Sequence, residues 1–262
     1  MGKGVALGLG ESRATVYITG RTVQEETGVD GLPGTIYQTA EEVERLGGRA
    51  IPVLCDHRDD AQVEALFRRI MDDHGQLNLL VNNVWGGYEH LMLDDQYVDS
   101  LPFWEQSIER WDSMFAAGVR AHYVASVLAA KRMTERRSGF IVTISFWAAQ
   151  KFLGSPAYGA AKAADDKLIR DMAHQLRDHQ VAAVSLYPGL VQTENVMRLA
   201  EYLDLSNSES PGFVGRAVAA LAGDPTIMAK TGEILVAATL AREYGFVDVD
   251  GALPWPITLA EA

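Results

Sequence analysis

The chain has 262 residues, with 23 Lys+Arg against 35 Asp+Glu and a formal net charge of −12. That length suits one large core, since single α/β domains routinely reach roughly 250 residues. An acidic surface repels phosphate backbones and anionic lipid, which argues against nucleic-acid and membrane partners. The single cysteine, Cys55, cannot form an internal disulfide. No apolar stretch approaches the roughly 18 residues that a bilayer span needs. The opening residues carry too short an apolar core for a secretory signal, and Ala6 stands where myristoylation wants Ser or Thr. A cytoplasmic protein is expected.

In chain order, Gly2 to Glu11 reads as a glycine-interrupted helix with no strand before it. Strand-length apolar runs follow at Ala14 to Thr19, Ala50 to Leu54, Leu77 to Val81, Phe140 to Ser145 and Val181 to Leu186, with Glu233 to Val236 as one more. Few of them alternate polar with apolar, the pattern of strands covered on both faces. Helical patterns lie between them: Tyr37 to Leu46, Asp59 to His74, Ser107 to Arg136, Ala157 to His179 and Pro211 to Ala222. In the second, Val63, Leu66, Phe67 and Ile70 recur at helical spacing and Gly75 stops the helix. Repeated strand–helix–strand units predict a Rossmann-like α/β fold, a doubly wound parallel sheet with helices on both faces, as a single domain over 1–262. The segments 85–103 and 190–210 break the rhythm after strands. Ligands of such sheets bind outside the carboxyl ends of strands, so these segments are candidate pocket walls. Gly2, Gly4, Gly8 and Gly10 are not scored as a dinucleotide fingerprint, because that motif requires a preceding strand.

The strongest local chemical signal is Tyr158-Gly-Ala-Ala-Lys162. Positions i and i+4 share a helix face, so the phenol and the ammonium point the same way. A lysine that close favours the phenolate, which is what general acid/base chemistry on a carbonyl requires. The motif alone is weak, and a surface helix pair is the bland alternative. Context strengthens it: Ser145 ends an apolar strand thirteen residues upstream, and Tyr187-Pro-Gly-Leu-Val-Gln-Thr193 ends another strand in a turn.

With these residues the sequence resembles the short-chain dehydrogenase/reductase family, most closely its member 1-like branch, over essentially the whole chain. The matching positions are Tyr17-Ile-Thr-Gly-Arg21, Cys55-Asp56, Leu80-Val-Asn-Asn83, Trp111-Asp112, Ser145, Tyr158 with Lys162, and Pro188-Gly189 followed by Val191 and Thr193. The resemblance implies hydride transfer between a nicotinamide cofactor and a small-molecule carbonyl or alcohol. It makes Tyr158 the proton donor and acceptor, and Lys162 the group that favours its ionised form and binds the nicotinamide ribose. It makes Ser145 the residue that polarises the carbonyl oxygen. Asp56 would contact the adenine, Asn82 would sit under the cofactor, and Pro188, Gly189, Val191 and Thr193 would line the nicotinamide. Gly2 matches the last glycine of the family's cofactor turn. Arg21 resembles the arginine that receives a 2′-phosphate, which favours NADP(H) over NAD(H). The resemblance also implies a homodimer or homotetramer pairing through the helices of 107–136 and 157–179.

Four departures stand out. The family's opening strand and glycine-rich turn are missing. Such a strand would be central, and burying its five or six aliphatic side chains would contribute on the order of 10 kcal/mol. A natural protein with roughly ten to twenty further residues is therefore expected. Trp85 follows Asn82-Asn-Val where the family is small, and Gly118 stands where the family often carries a catalytic asparagine. The serine register is open between Ser145 and Phe146, and Ser145 is favoured because phenylalanine cannot donate to a carbonyl.

Blander readings accompany the rest. Trp85, Tyr88, Phe146, Trp147 and Tyr187 are either an aromatic pocket for a lipophilic carbonyl compound or packing. His57, His90, His122, His174 and His179 lack metal-ligand spacing, and no metal is expected. Cys55 reads as a small buried hydrophobe. Asp165, Asp166 and Glu41-Glu42 read as solvated helix faces, and Asp112 as a helix-start acid. Against the oxidoreductase reading stands a catalytically impaired oligomer or ligand-binding protein of the same fold, without an intact cofactor loop.

Overall fold

The computed structural model describes residues 1–25, 32–89, 92–93, 96–98, 101–198 and 200–261. His90 and parts of the segments 85–103 and 190–210 lie outside the described residues. The elements run α1 (Gly2–Glu11), β1 (Thr15–Gly20), α2 (Ile36–Arg45), β2 (Arg49–Leu54), α3 (Asp60–His74) and β3 (Leu79–Asn82). A short antiparallel pair follows, β4 (Met92–Leu93) with β5 (Gln96–Tyr97). Next come α4 (Ile108–Ser113), a π-helical stretch Met114–Arg120, α5 (Ala121–Arg136), β6 (Gly139–Ile144), α6 (Pro156–Leu176) and β7 (Val181–Tyr187). The chain closes with α7 (Glu194–Arg198), α8 (Pro211–Ala222), β8 (Ile234–Val236) and α9 (Ala237–Tyr244).

The described chain forms two compact units. The first holds 1–56, 188–227 and 235–257. In it β1 and β2 pair in parallel, from Thr15↔Arg49 to Gly20↔Leu54. Glycines set the position of α1. A Cβ on Gly4 would lie 2.1 Å from the Pro211 carbonyl oxygen, and one on Gly8 would lie 2.3 Å from the Gly215 carbonyl carbon. Gly215 in turn lies so close to α1 that its own Cβ would meet the Gly4 oxygen at 2.1 Å. The backbones of α1 and α8 thus touch, and Gly4, Gly8 and Gly215 serve helix packing. Arg216 of α8 clamps Glu11 with two bonds of 2.9 and 3.0 Å.

The second unit holds 57–187, 228–234 and 258–262. Its sheet runs β3–β6–β7 in parallel, with Leu79↔Phe140 and Gly139↔Val181 opening the ladders. The Gly232 amide donates to the Ala183 carbonyl and the Ser185 amide to the Glu233 carbonyl. β7 is buried throughout, and β6 is buried after its first residue. β1, β2 and β3 are largely half-exposed. Among the described residues β1 pairs with β2 and β3 with β6, each at the end of its ladder.

Helix boundaries follow local chemistry. Asp59 caps α3 by accepting from the Ala61 and Gln62 amides, and Gly75 ends it at φ +66°, the left-handed conformation glycine tolerates. Val63, Leu66, Phe67 and Ile70 form its buried face, as predicted. Ser107 caps α4, so Asp112 lies at that helix's end and is not the helix-start acid expected. The pattern 107–136 is not one regular α-helix, because Met114–Arg120 is π-helical, a form that concentrates near functional sites.

The α1–α8 contact is directly testable. Gly8→Ala should cost about 1–3 kcal/mol in urea unfolding, because its methyl meets backbone that cannot yield. Gly223→Ala, whose nearest neighbours would be 3.6 Å away, should change stability by under about 1 kcal/mol.

Candidate active site

α6 starts at Pro156, a residue suited to a first helical position because its missing N–H has no partner there. Tyr158 and Lys162 follow one turn apart. Lys162 is buried, with its side chain 9% exposed, and its Nζ donates to the Ile144 carbonyl at 3.1 Å. Asp165 Oδ2 lies 3.7 Å away, and the Trp85 ring centroid lies 4.3 Å away, under the ammonium. Tyr158 is half-buried between two rings. Trp85 meets it edge-on at 5.5 Å, and Phe146 lies tilted beside it at 6.4 Å.

Behind the lysine the polar groups are joined. Asp165 Oδ1 lies 2.9 Å from His122 Nδ1, and His122 Nε2 lies 2.9 Å from the Val84 carbonyl oxygen. A carbonyl only accepts, so the ring N–H at Nε2 donates to it. Tyr187 donates to Asp166, and Gln150 donates to the Tyr187 hydroxyl at 3.3 Å. Burial pushes the lysine toward its neutral form, and Asp165 and Asp166 oppose that shift. Burial raises Asp166 above the usual carboxylate range, against the hydroxyls that donate to it. Burial and the neighbouring Asp166 likewise hold the Tyr187 phenol in its protonated form.

Several expectations change here. Asp165 and Asp166 are not solvated faces: they are 1% and 7% exposed, because they share the inward face of α6 with Lys162. Trp147 and Tyr187 are buried and pack edge-on at 5.1 Å, so they are core and not pocket wall. Ser145 is buried at the end of β6, and its hydroxyl donates to the Lys162 carbonyl at 3.4 Å, while Phe146 puts its ring beside Tyr158. Asn82 ends β3 with its amide donating to Ser126 at 3.0 Å and Thr143 at 3.1 Å.

The other predicted positions belong to the first unit. Gly2 is the first residue of α1. Arg21 and Asp56 follow the ends of the paired strands β1 and β2, with guanidinium and carboxylate 4.0 Å apart and both partly exposed. Pro188 and Gly189 are buried just after β7. Val191 bridges Glu209, and the Thr193 hydroxyl accepts from the Val196 amide at the start of α7. Cys55 is buried, as expected.

A model of the short chain dehydrogenase family matches residues 1–203. Dehydrogenase/reductase SDR family member 1 of mouse is 38% identical over 265 aligned residues, covering 96% of this chain and 80% of that protein. Its human counterpart is 37% identical over the same shares. The chain is a short-chain dehydrogenase. It belongs to an oxidoreductase family, and the α/β fold matches solved members. A short-chain dehydrogenase from Mycobacterium thermoresistibile superposes with a TM-score of 0.75 at 24% identity, over 98% of this chain and 88% of that one. A metagenomic short-chain oxidoreductase solved in complex with NADP gives 0.67 at 24% identity, over 89% and 90%. Among the described residues of this dehydrogenase, no helix is long and apolar enough to cross a membrane.

Two features of this short-chain dehydrogenase escaped the sequence reading. The His122–Asp165 pair had a usable signal, since Asp165 stands three residues after Lys162 on the same helix face. Glu209 had none. It lies in a polar loop, yet it is 1% exposed, its amide donates to the Leu190 carbonyl and its carbonyl accepts from the Gln192 amide. Burial raises its carboxyl from 4.5 to about 7, against a hydrogen bond from Gly189. The fold therefore holds this proton more tightly than the unfolded chain does. That contribution is fully present below pH 4.5 and is lost as pH rises through about 7. It amounts to at most about 3 kcal/mol. Urea unfolding at pH 5 and pH 8 tests this: Glu209→Gln should gain on wild type by about 2–3 kcal/mol between the two. An equal difference at both pH values would reject the assignment.

Proposed function

We propose that this dehydrogenase transfers a hydride between NADP(H) and a carbonyl or alcohol substrate, with Tyr158, Lys162 and Ser145 as its catalytic residues. The observation that carries this reading is the half-buried phenol one helical turn from a buried, charge-partnered ammonium. The nicotinamide supplies or accepts the hydride when bound. In reduction, the Tyr158 hydroxyl gives its proton to the carbonyl oxygen as the carbon accepts the hydride. In oxidation, the same oxygen takes the alcohol proton. The Lys162 ammonium favours the phenolate left behind. Ser145 orients the substrate oxygen in this reading.

The residues present fit the dinucleotide at its adenosine end. Arg21 offers a partly exposed guanidinium beside Asp56, and a planar fork of N–H donors suits a 2′-phosphate, which supports NADP(H) over NAD(H). Asp56 serves the adenine. Pro188, Gly189, Val191 and Thr193 serve the nicotinamide half and Gly2 the phosphates; in the second unit Asn82 keeps the role the family resemblance gives it. Trp85 and Phe146 on either side of Tyr158 favour a lipophilic carbonyl compound as substrate. The reading extends to a cytoplasmic homodimer or homotetramer, to which Ile108, Trp111 and Tyr123 contribute exposed apolar surface along 107–136.

A second reading is an oligomeric or ligand-binding protein of this fold without turnover. It is favoured by the glycines of α1, whose open sides are filled by Pro211, Gly215 and Val43. One experiment separates the two. Fluorescence titration should show NADPH binding more tightly than NADH, and NADPH should be consumed with at least one member of a ketone, aldehyde and quinone panel. Tyr158→Phe should lower that turnover at least roughly 100-fold with NADPH affinity within about threefold. No NADPH binding at high micromolar concentration would overturn the enzyme reading, and equal loss of binding and turnover would overturn the proton-transfer role.

A further inference from the structure

Trp85 lies where two separate glycines make room for it. A Cβ on Gly118 would sit 2.8 Å from Trp85 Cζ3 and 2.9 Å from Cε3, and one on Gly87 would sit 2.2 Å from Nε1. Any side chain at either position would displace the indole. Gly118 belongs to the π-helical stretch Met114–Arg120, which departs from regular α-helix on this side. The ring so seated presents its face to Lys162 Nζ at 4.3 Å and its edge to Tyr158 at 5.5 Å.

The lysine needs that face. A buried ammonium has three N–H donors to place. One goes to the Ile144 carbonyl at 3.1 Å, and the Asp165 carboxylate, at 3.7 Å, is a long ion-pair partner. The negative face of an indole is the best aromatic partner for a cation, and it gains strength where water is excluded. We propose that Trp85 is a positioning residue: its indole face holds the Lys162 ammonium against α6 beside Tyr158, in a seat that Gly87 and Gly118 keep open. The kinetic part of this proposal rests on the acid/base reading above; the geometric part does not.

The test has two arms. In NMR spectra of the full chain, the ε-methylene protons of Lys162, assigned by their loss in Lys162→Met, should lie upfield of the other lysines through the indole ring current. They should return to the ordinary position in Trp85→Leu and keep a reduced upfield shift in Trp85→Phe. In NADPH-dependent turnover of the best panel carbonyl, Trp85→Leu should lower kcat roughly 10- to 30-fold, and Trp85→Phe should restore it to within about fivefold of wild type. Gly118→Ala, which pushes the ring without removing it, should shrink the upfield shift and lower kcat in the same direction; it decides the matter if Trp85→Leu does not fold. An unshifted Lys162 signal in wild type overturns the proposal, as does wild-type kcat in a folded Trp85→Leu. If Tyr158→Phe retains turnover, the acid/base reading fails instead, and the NMR arm still decides whether Trp85 holds the lysine.

Discussion

A buried positive charge, the Lys162 ammonium, gathers polar groups of the second unit around it. An ammonium removed from water loses several kcal/mol of hydration unless neighbours replace it. Around Lys162 those neighbours come from three elements: the Ile144 carbonyl at the end of β6, Asp165 and Asp166 on its own helix, and the Trp85 face after β3. Each brings its own requirement. Asp165 needs His122, which needs the Val84 carbonyl. Asp166 is held by Tyr187, which Gln150 reaches in turn. The ends of three parallel strands, β3, β6 and β7, are thereby tied to one face of α6. Breaking such a set at one member leaves a buried charge without compensation, which costs more than the member's own contact.

Much of this was legible in the sequence where periodicity or spacing carries the signal. The alternation of apolar runs and amphipathic helices located every strand of the parallel ladders to within a residue or two. The four-residue spacing of Tyr158 and Lys162 put both on one face. The same arithmetic applied to Asp165 and Asp166 would have buried them too, because any residue three or four positions from a buried lysine faces inward with it. The assumption that carboxylates face water outweighed the geometry. Glu209 was not legible, since its partner Gly189 is set by the fold and not by sequence separation.

The glycines of α1 show how one sequence feature serves different physics. A run with glycine at 2, 4, 8 and 10 invites a phosphate-binding reading, and the missing strand argued against it. In the structure Gly4 and Gly8 let two helix backbones touch, a packing use for which any side chain is too large. Gly118 and Gly87 belong to a third case, in which glycine makes room for a single indole. In each place the absent Cβ is explained by the atoms that occupy its position.

The central claim is that a charged nitrogen at position 162 drives the chemistry of its neighbour at 158. The most direct measurement is the turnover number of Lys162→Met, a neutral side chain of similar length, in NADPH-dependent carbonyl reduction. His122 keeps Asp165 partnered in that variant, so the fold has a means of tolerating the loss. The variant should fold, with a kcat at least roughly 100-fold below wild type. A folded variant that turns over within about threefold of wild type would contradict it.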